Sequence, residues 1–157
     1  MTTSFFRIAG PVIKNKREIQ SPKTKAFIDT NIFYSAVLKP DSWSNRALQK
    51  AFFQCEALTS DYVVNELKRN IEKYFPGNLW RVDQFFQSAK FRLTVVDTPE
   101  DPVEEELSVR DINDHPIVRA AVAEQADIII SNDKDLKAVS FAKPKVLNVA
   151  EFLEWQS

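Results

Sequence analysis

Glycine is nearly missing from this chain of 157 residues, with Gly10 and Gly77 the only two. A glycine-rich loop that cradles a nucleotide phosphate is therefore excluded, both as the dinucleotide fingerprint and as the P-loop. The single cysteine, Cys55, excludes an internal disulfide and a cysteine-cluster zinc site, and it suits a reducing compartment. The single histidine, His115, rules out a histidine-rich metal site and reads as an exposed residue in a polar turn. Any metal must then be held by oxygen ligands, and carboxylates select hard cations such as Mg²⁺ or Mn²⁺. No apolar run approaches the roughly 20 residues of a membrane helix, and the N-terminus lacks an apolar signal core. The expectation is a cytoplasmic protein with no membrane partner.

What is present is the composition of an ordinary globular domain, 44% apolar and 27% charged. The length suits one domain with a real core. The formal charge of −1 is unevenly spread, because residues 1–24 carry a net +4. With Gly10-Pro11 and Pro22 as breakers, residues 1–24 read as an irregular basic arm, and residues 25–157 as a single domain.

Short apolar runs bounded by polar residues predict strands at Ala26–Ile28, Glu56–Thr59, Leu93–Val96, Asp127–Ser131 and Lys145–Asn148. Helical spacing predicts helices over Ile32–Leu38, from Ser42 through Phe52, over Asp61–Tyr74, Leu79–Ala89 and Ile117–Ala126, then from Lys134 and from Ala150. One short helix is expected around Val103–Leu107. Strands separated by helices imply an α/β fold of three layers, α/β/α, with a central parallel sheet of about five strands.

Two of these strands end on acids. Asp29 closes the run KAFI, and Asp133 follows DIIIS, so a parallel sheet projects both from one edge. In open α/β sheets ligands bind outside the carboxyl ends of the strands. Glu66 lies beside the apolar stripe formed by Val63, Leu67, Ile71 and Tyr74 on its helix. Asp114 opens the helix at Ile117, and Asp111 precedes it in the loop. Taken singly, Asp29, Asp114 and Asp133 have an alternative as helix caps, Glu66 as a solvated boundary residue and Asp111 as an exposed acid. Together, four carboxylates in one cleft repel one another unless a divalent cation neutralises them. Such a cation binds phosphate oxygens and supplies an attacking water, so the implied reaction is phosphodiester hydrolysis. Lys68, Arg69, Arg119 and Lys134 are the basic residues near these acids and the candidates for guiding a nucleic-acid backbone. Phosphotransfer through Asp29 as nucleophile is disfavoured, because Asn31 stands where such enzymes place a second acid.

The stretches FIDTNIFYSAVL, SDYVVNELKRN and RDINDHPIVRAAVAEQADIIISNDKDL occur in an order that resembles the PIN domain ribonucleases. The resemblance is strongest to the toxin-like prokaryotic members that form toxin–antitoxin pairs, and it runs from about Lys25 to Leu153. It implies a PIN-like fold and a Mg²⁺- or Mn²⁺-dependent endoribonuclease acting on single-stranded RNA. Asp29, Glu66, Asp114 and Asp133 would be the catalytic, metal-binding acids. Asn31, Ser131, Asp135 and Asp111 would support them. Single-stranded RNA, an antitoxin protein and a second copy of the chain are the candidate partners. The alternative is a catalytically silent PIN-like module that binds RNA or a protein. Many relatives carry glycine where this chain has Asn132, a residue that tolerates the left-handed backbone conformation.

Overall fold

In a computed structural model the chain is described over residues 23–156. All but the last two residues of the basic arm lie outside the described residues. Five strands, β1 (Lys25–Ile28), β2 (Glu56–Ser60), β3 (Leu93–Val96), β4 (Ile128–Ile130) and β5 (Lys145–Leu147), form one sheet in the order β3-β2-β1-β4-β5. Every neighbouring pair is parallel. The expected three-layer α/β/α architecture is the one observed.

The central strands are apolar because both their faces are covered. Phe27, Ile28, Ile129 and Ile130 are fully buried or nearly so. Register places Ile28 opposite Ile130, so β1 and β4 end level with each other. The chain leaves β1 into α1 (Thr30–Leu38), then α2 (Trp43–Gln54), and returns as β2. It continues through α3 (Asp61–Tyr74) and α4 (Leu79–Ala89) to β3. A long irregular stretch with 3₁₀ turns at Glu104–Ser108 and Ile112–Asp114 leads into α5 (His115–Ala123) and β4. The last elements are α6 (Lys134–Lys137), β5 and α7 (Val149–Glu154).

Several boundaries differ from expectation for local reasons. Helix α1 starts at Thr30, two residues early, because Asp29 itself is the N-cap and accepts the Thr30 N–H. Helix α5 starts at His115, with Pro116 tolerated in its first turn where an N–H has no partner anyway. The short helix expected near Val103 is a 3₁₀ turn. The turn between α5 and β4 contains Gln125 with φ of 57°. Asn132 does not adopt a left-handed conformation, since Gln125 is the only described non-glycine residue that does. Asn132 instead ties loops together: its backbone N–H donates to Asn31 and its side-chain oxygen accepts the Val149 N–H.

Candidate functional site

The first acid is positioned by the end of the central strand. After Ile28 the backbone pairs once more, Asp29 N–H to Ile130 C=O, and then turns into α1. The Asp29 side chain is 2% exposed and has a donor on each oxygen. Thr30 N–H reaches Oδ1 at 2.7 Å, while the Ser131 hydroxyl reaches Oδ2 at 2.6 Å and the Asn31 amide at 3.0 Å. Burial nevertheless pushes its pKa up to about 6, against the opposing pull of the Ser131 and Thr30 hydrogen bonds.

Ser131 is fully buried between two acids. Its hydroxyl donates to Asp29 and its oxygen accepts the Asp133 N–H at 2.9 Å. Asp133 itself caps α6, accepting from the N–H groups of Asp135 and Leu136. Glu66 accepts a short hydrogen bond from the Thr30 hydroxyl. The cap role and the cavity-lining position are thus not alternatives for Asp29 and Asp133, since one carboxylate oxygen takes the cap while the group still faces the cavity.

Asp29, Glu66, Asp111, Asp114 and Asp133 line one cavity of about 370 Å³ at the C-terminal edge of the sheet, together with Asn31. Asp114 is 7% exposed, and its Oδ2 has no hydrogen-bond partner. Desolvation is the first reason its pKa rises to about 8, followed by the charges of Asp133, Asp29, Asp111 and Glu66. Oxygens of Asp111, Asp114 and Asp135 all lie within 4.8 Å of one another. Asp135 also pairs with the exposed Arg110 at 3.1 Å. A buried carboxylate oxygen without a donor, with oxygens of two further carboxylates within 4.8 Å, suits a hard divalent cation.

The basic candidates are not brought together. Arg119 turns away from the cavity and makes a two-pronged contact with Glu106 at 2.9 and 2.8 Å, also donating to the carbonyl of Pro99 at 3.2 Å. Glu106 is 2% exposed, so Arg119 serves to neutralise it. Lys68 pairs with Asp83 on the exposed side of α3. Arg69 and Lys134 are exposed. His115 is not an exposed turn residue; its side chain is 18% exposed, with Nε2 2.8 Å from the Val109 carbonyl and Nδ1 3.6 Å from Glu106.

Residues that line the cavity without having been singled out are Thr30, Tyr34, Asn70, Tyr74 and Asn113. One signal was available: Glu66, Asn70 and Tyr74 recur every four residues, which places them along one line of a helix. Tyr74 therefore belongs to the cavity and not to the core stripe, and it is 60% exposed whereas Val63, Leu67 and Ile71 are fully buried.

A family model described as PIN domain matches residues 25–135. Solved structures with the same fold include VapBC2 from Rickettsia felis bound to a promoter DNA fragment, at TM-score 0.62 and 21% identity, covering 80% of this chain and 98% of that one. VapBC from Salmonella typhimurium, bound to DNA, aligns at TM-score 0.58 and 14% identity over 80% and 98% of the two chains. VapC20 from Mycobacterium tuberculosis, a toxin that cleaves the sarcin-ricin loop, aligns at 0.56 and 14% over 75% and 97%. No curated protein sequence matches the chain. No described helix is long and apolar enough to cross a membrane.

Proposed function

The chain belongs to the PIN domain family, and from that premise we propose that it is a Mg²⁺- or Mn²⁺-dependent endoribonuclease that hydrolyses phosphodiester bonds of single-stranded RNA. The observation that carries this reading is Asp114, buried, lacking a partner on one oxygen and facing four other carboxylates across one cavity. Asp29, Glu66, Asp114 and Asp133 would hold the cation, with Asp111 and Asp135 beside Asp114 as further oxygen ligands. When bound, a divalent ion supplies Lewis-acid polarisation of a phosphoryl oxygen and lowers the pKa of a water.

The protein's own contribution is orientation. Ser131 and Asn31 fix the rotamer of Asp29, and Thr30 fixes that of Glu66, so two acids from different elements are presented without further ordering on binding. Hydrogen bonds to Asp29 favour its ionised, ligating form against the desolvation that opposes it. Asp114 has no such support, so its negative charge is stabilised chiefly by whatever cation occupies the cavity.

Structural likeness to VapBC assemblies supports an antitoxin protein as partner and a toxin role within a toxin–antitoxin pair. The test is cleavage of labelled single-stranded RNA in Mn²⁺ by the wild type and by Asp29→Asn. Cleavage lost in the variant is expected. Equal behaviour of the two proteins would overturn the nuclease reading, and binding without cleavage by the wild type would assign the chain to a silent RNA-binding module.

A further inference from the structure

Glu66, Asn70 and Tyr74 stand at four-residue intervals on α3 and all line the acidic cavity. Each interval rises about 6 Å along the helix axis. The wall of the cavity therefore changes character in regular steps, from carboxylate to amide to aromatic ring. Tyr34 from α1 lines the same cavity and lies against Phe75, ring centroids 6.4 Å apart and planes at 60°. Tyr74 is 60% exposed, and Phe75 44%. Folding does not account for the exposure of Tyr74, since the buried stripe of α3 ends at Ile71. The Lys73 ammonium lies over the Tyr74 ring, 5.1 Å from its centroid.

Resting on the nuclease reading above, we propose that Tyr74, with Tyr34 and Asn70, forms a nucleobase subsite for single-stranded RNA. In it the base beside the phosphate held over the acids stacks on Tyr74 while the Asn70 amide meets its edge. An aromatic face accepts any base, and an amide offers both a donor and an acceptor to a base edge. A base paired within a duplex is stacked on its neighbours and does not present its face, so the subsite selects unpaired strands. Lys73 then offers a positive charge to the adjoining phosphate, where the acids themselves would repel it.

The experiment uses the full chain in two arms: affinity for a labelled single-stranded RNA oligonucleotide in the Asp29→Asn background, where the strand is not cut, and cleavage of the same RNA in Mn²⁺ with Asp29 intact. Each arm compares Tyr74 with Tyr74→Ala, Tyr74→Phe and, as an exposed aromatic outside this cavity, Trp80→Ala. Tyr74→Ala is expected to weaken binding about 5- to 150-fold, the range for loss of one base-stacking contact. Tyr74→Phe and Trp80→Ala are expected to stay within about twofold of wild type, as neither removes an aromatic ring from the wall. An oligonucleotide lacking bases is expected to bind the wild type and Tyr74→Ala equally. Wild-type affinity in Tyr74→Ala, with RNA still bound and cut, overturns the subsite and leaves the nuclease reading standing. Failure of the wild type to bind or cut any single-stranded RNA overturns both. Because Tyr74 is exposed, the alanine variant does not put folding at risk.

Discussion

The Ser131 hydroxyl donates to Asp29 Oδ2 across 2.6 Å, joining the ends of two adjacent strands that are 102 residues apart in the chain. The same oxygen accepts the Asp133 N–H, so a single small side chain sets the relative position of two acids. Ser131→Ala removes both contacts inside a fully buried pocket. Cation affinity is expected to fall roughly tenfold or more, in line with the loss of a group that orients a ligand. Calorimetric titration with Mn²⁺ would read this directly. Unaltered affinity would show that Asp29 needs no such support.

Asp29 and Asp114 bind protons more tightly in the folded chain than in the unfolded one, with pKa raised from 3.8 to about 6 and about 8. The sign follows: without a cation, their penalty is absent below about pH 4 and grows as pH rises through these values. Asp114→Asn is expected to stabilise the cation-free protein at pH 7.5 by roughly 1–4 kcal/mol and to flatten the loss of stability between about pH 4 and about pH 8. Urea unfolding in EDTA across that range measures both. Parallel pH profiles for wild type and variant would contradict the assignment.

Glu106 and Arg119 behave in the opposite sense. The Arg119 hydrogen bonds hold the Glu106 carboxyl below its usual range. Its contribution is present above the unfolded value near 4.5 and is lost as pH falls through the lower folded value. Arg119→Met leaves Glu106 buried without its cation and releases the Pro99 carbonyl. A loss of about 3 kcal/mol is expected by chemical denaturation, because a buried charge is left unpaired. If stability holds at neutral pH, the pair is not the clamp of this loop.

Arg110 is bonded to Asp135, one of three acids with oxygens within 4.8 Å of one another. An exposed ion pair is weak, so a divalent cation can displace Arg110. Arg110→Ala should tighten Mn²⁺ binding about two- to fivefold, as expected when a weak competing charge is removed. Weaker binding in that variant would mean that Asp135 does not reach the ion.

The legible parts of this chain were those in which local pattern and tertiary role coincide. KAFI and III are short apolar runs because the strands are covered on both faces, and their acidic ends mark the edge where the cavity lies. Glu106 was illegible for the opposite reason. It sits in the run EEEL, where a charged residue looks solvated, and only the return of α5 brings Arg119 to it. His115 departs from its expected exposure for the same reason, because its partners Val109 and Glu106 come from the irregular loop before it. Nothing in their spacing announces that Asp111 and Asp135 approach one another, since α5 and β4 intervene. Gln125 takes a positive φ where glycine would be the expected signal.

The strand order has a consequence for synthesis. The middle of the sheet is made first, and β4 joins it only after β2 and β3 have been laid on its other side. A nascent chain released from the ribosome only through β3 carries Asp29 and Glu66 but no enclosing acids, and its central strand keeps an open, apolar edge. Translation halted soon after β3 would thus leave a fragment prone to self-association and lacking Asp111, Asp114 and Asp133, while residues 97–157 complete the sheet and the pocket together.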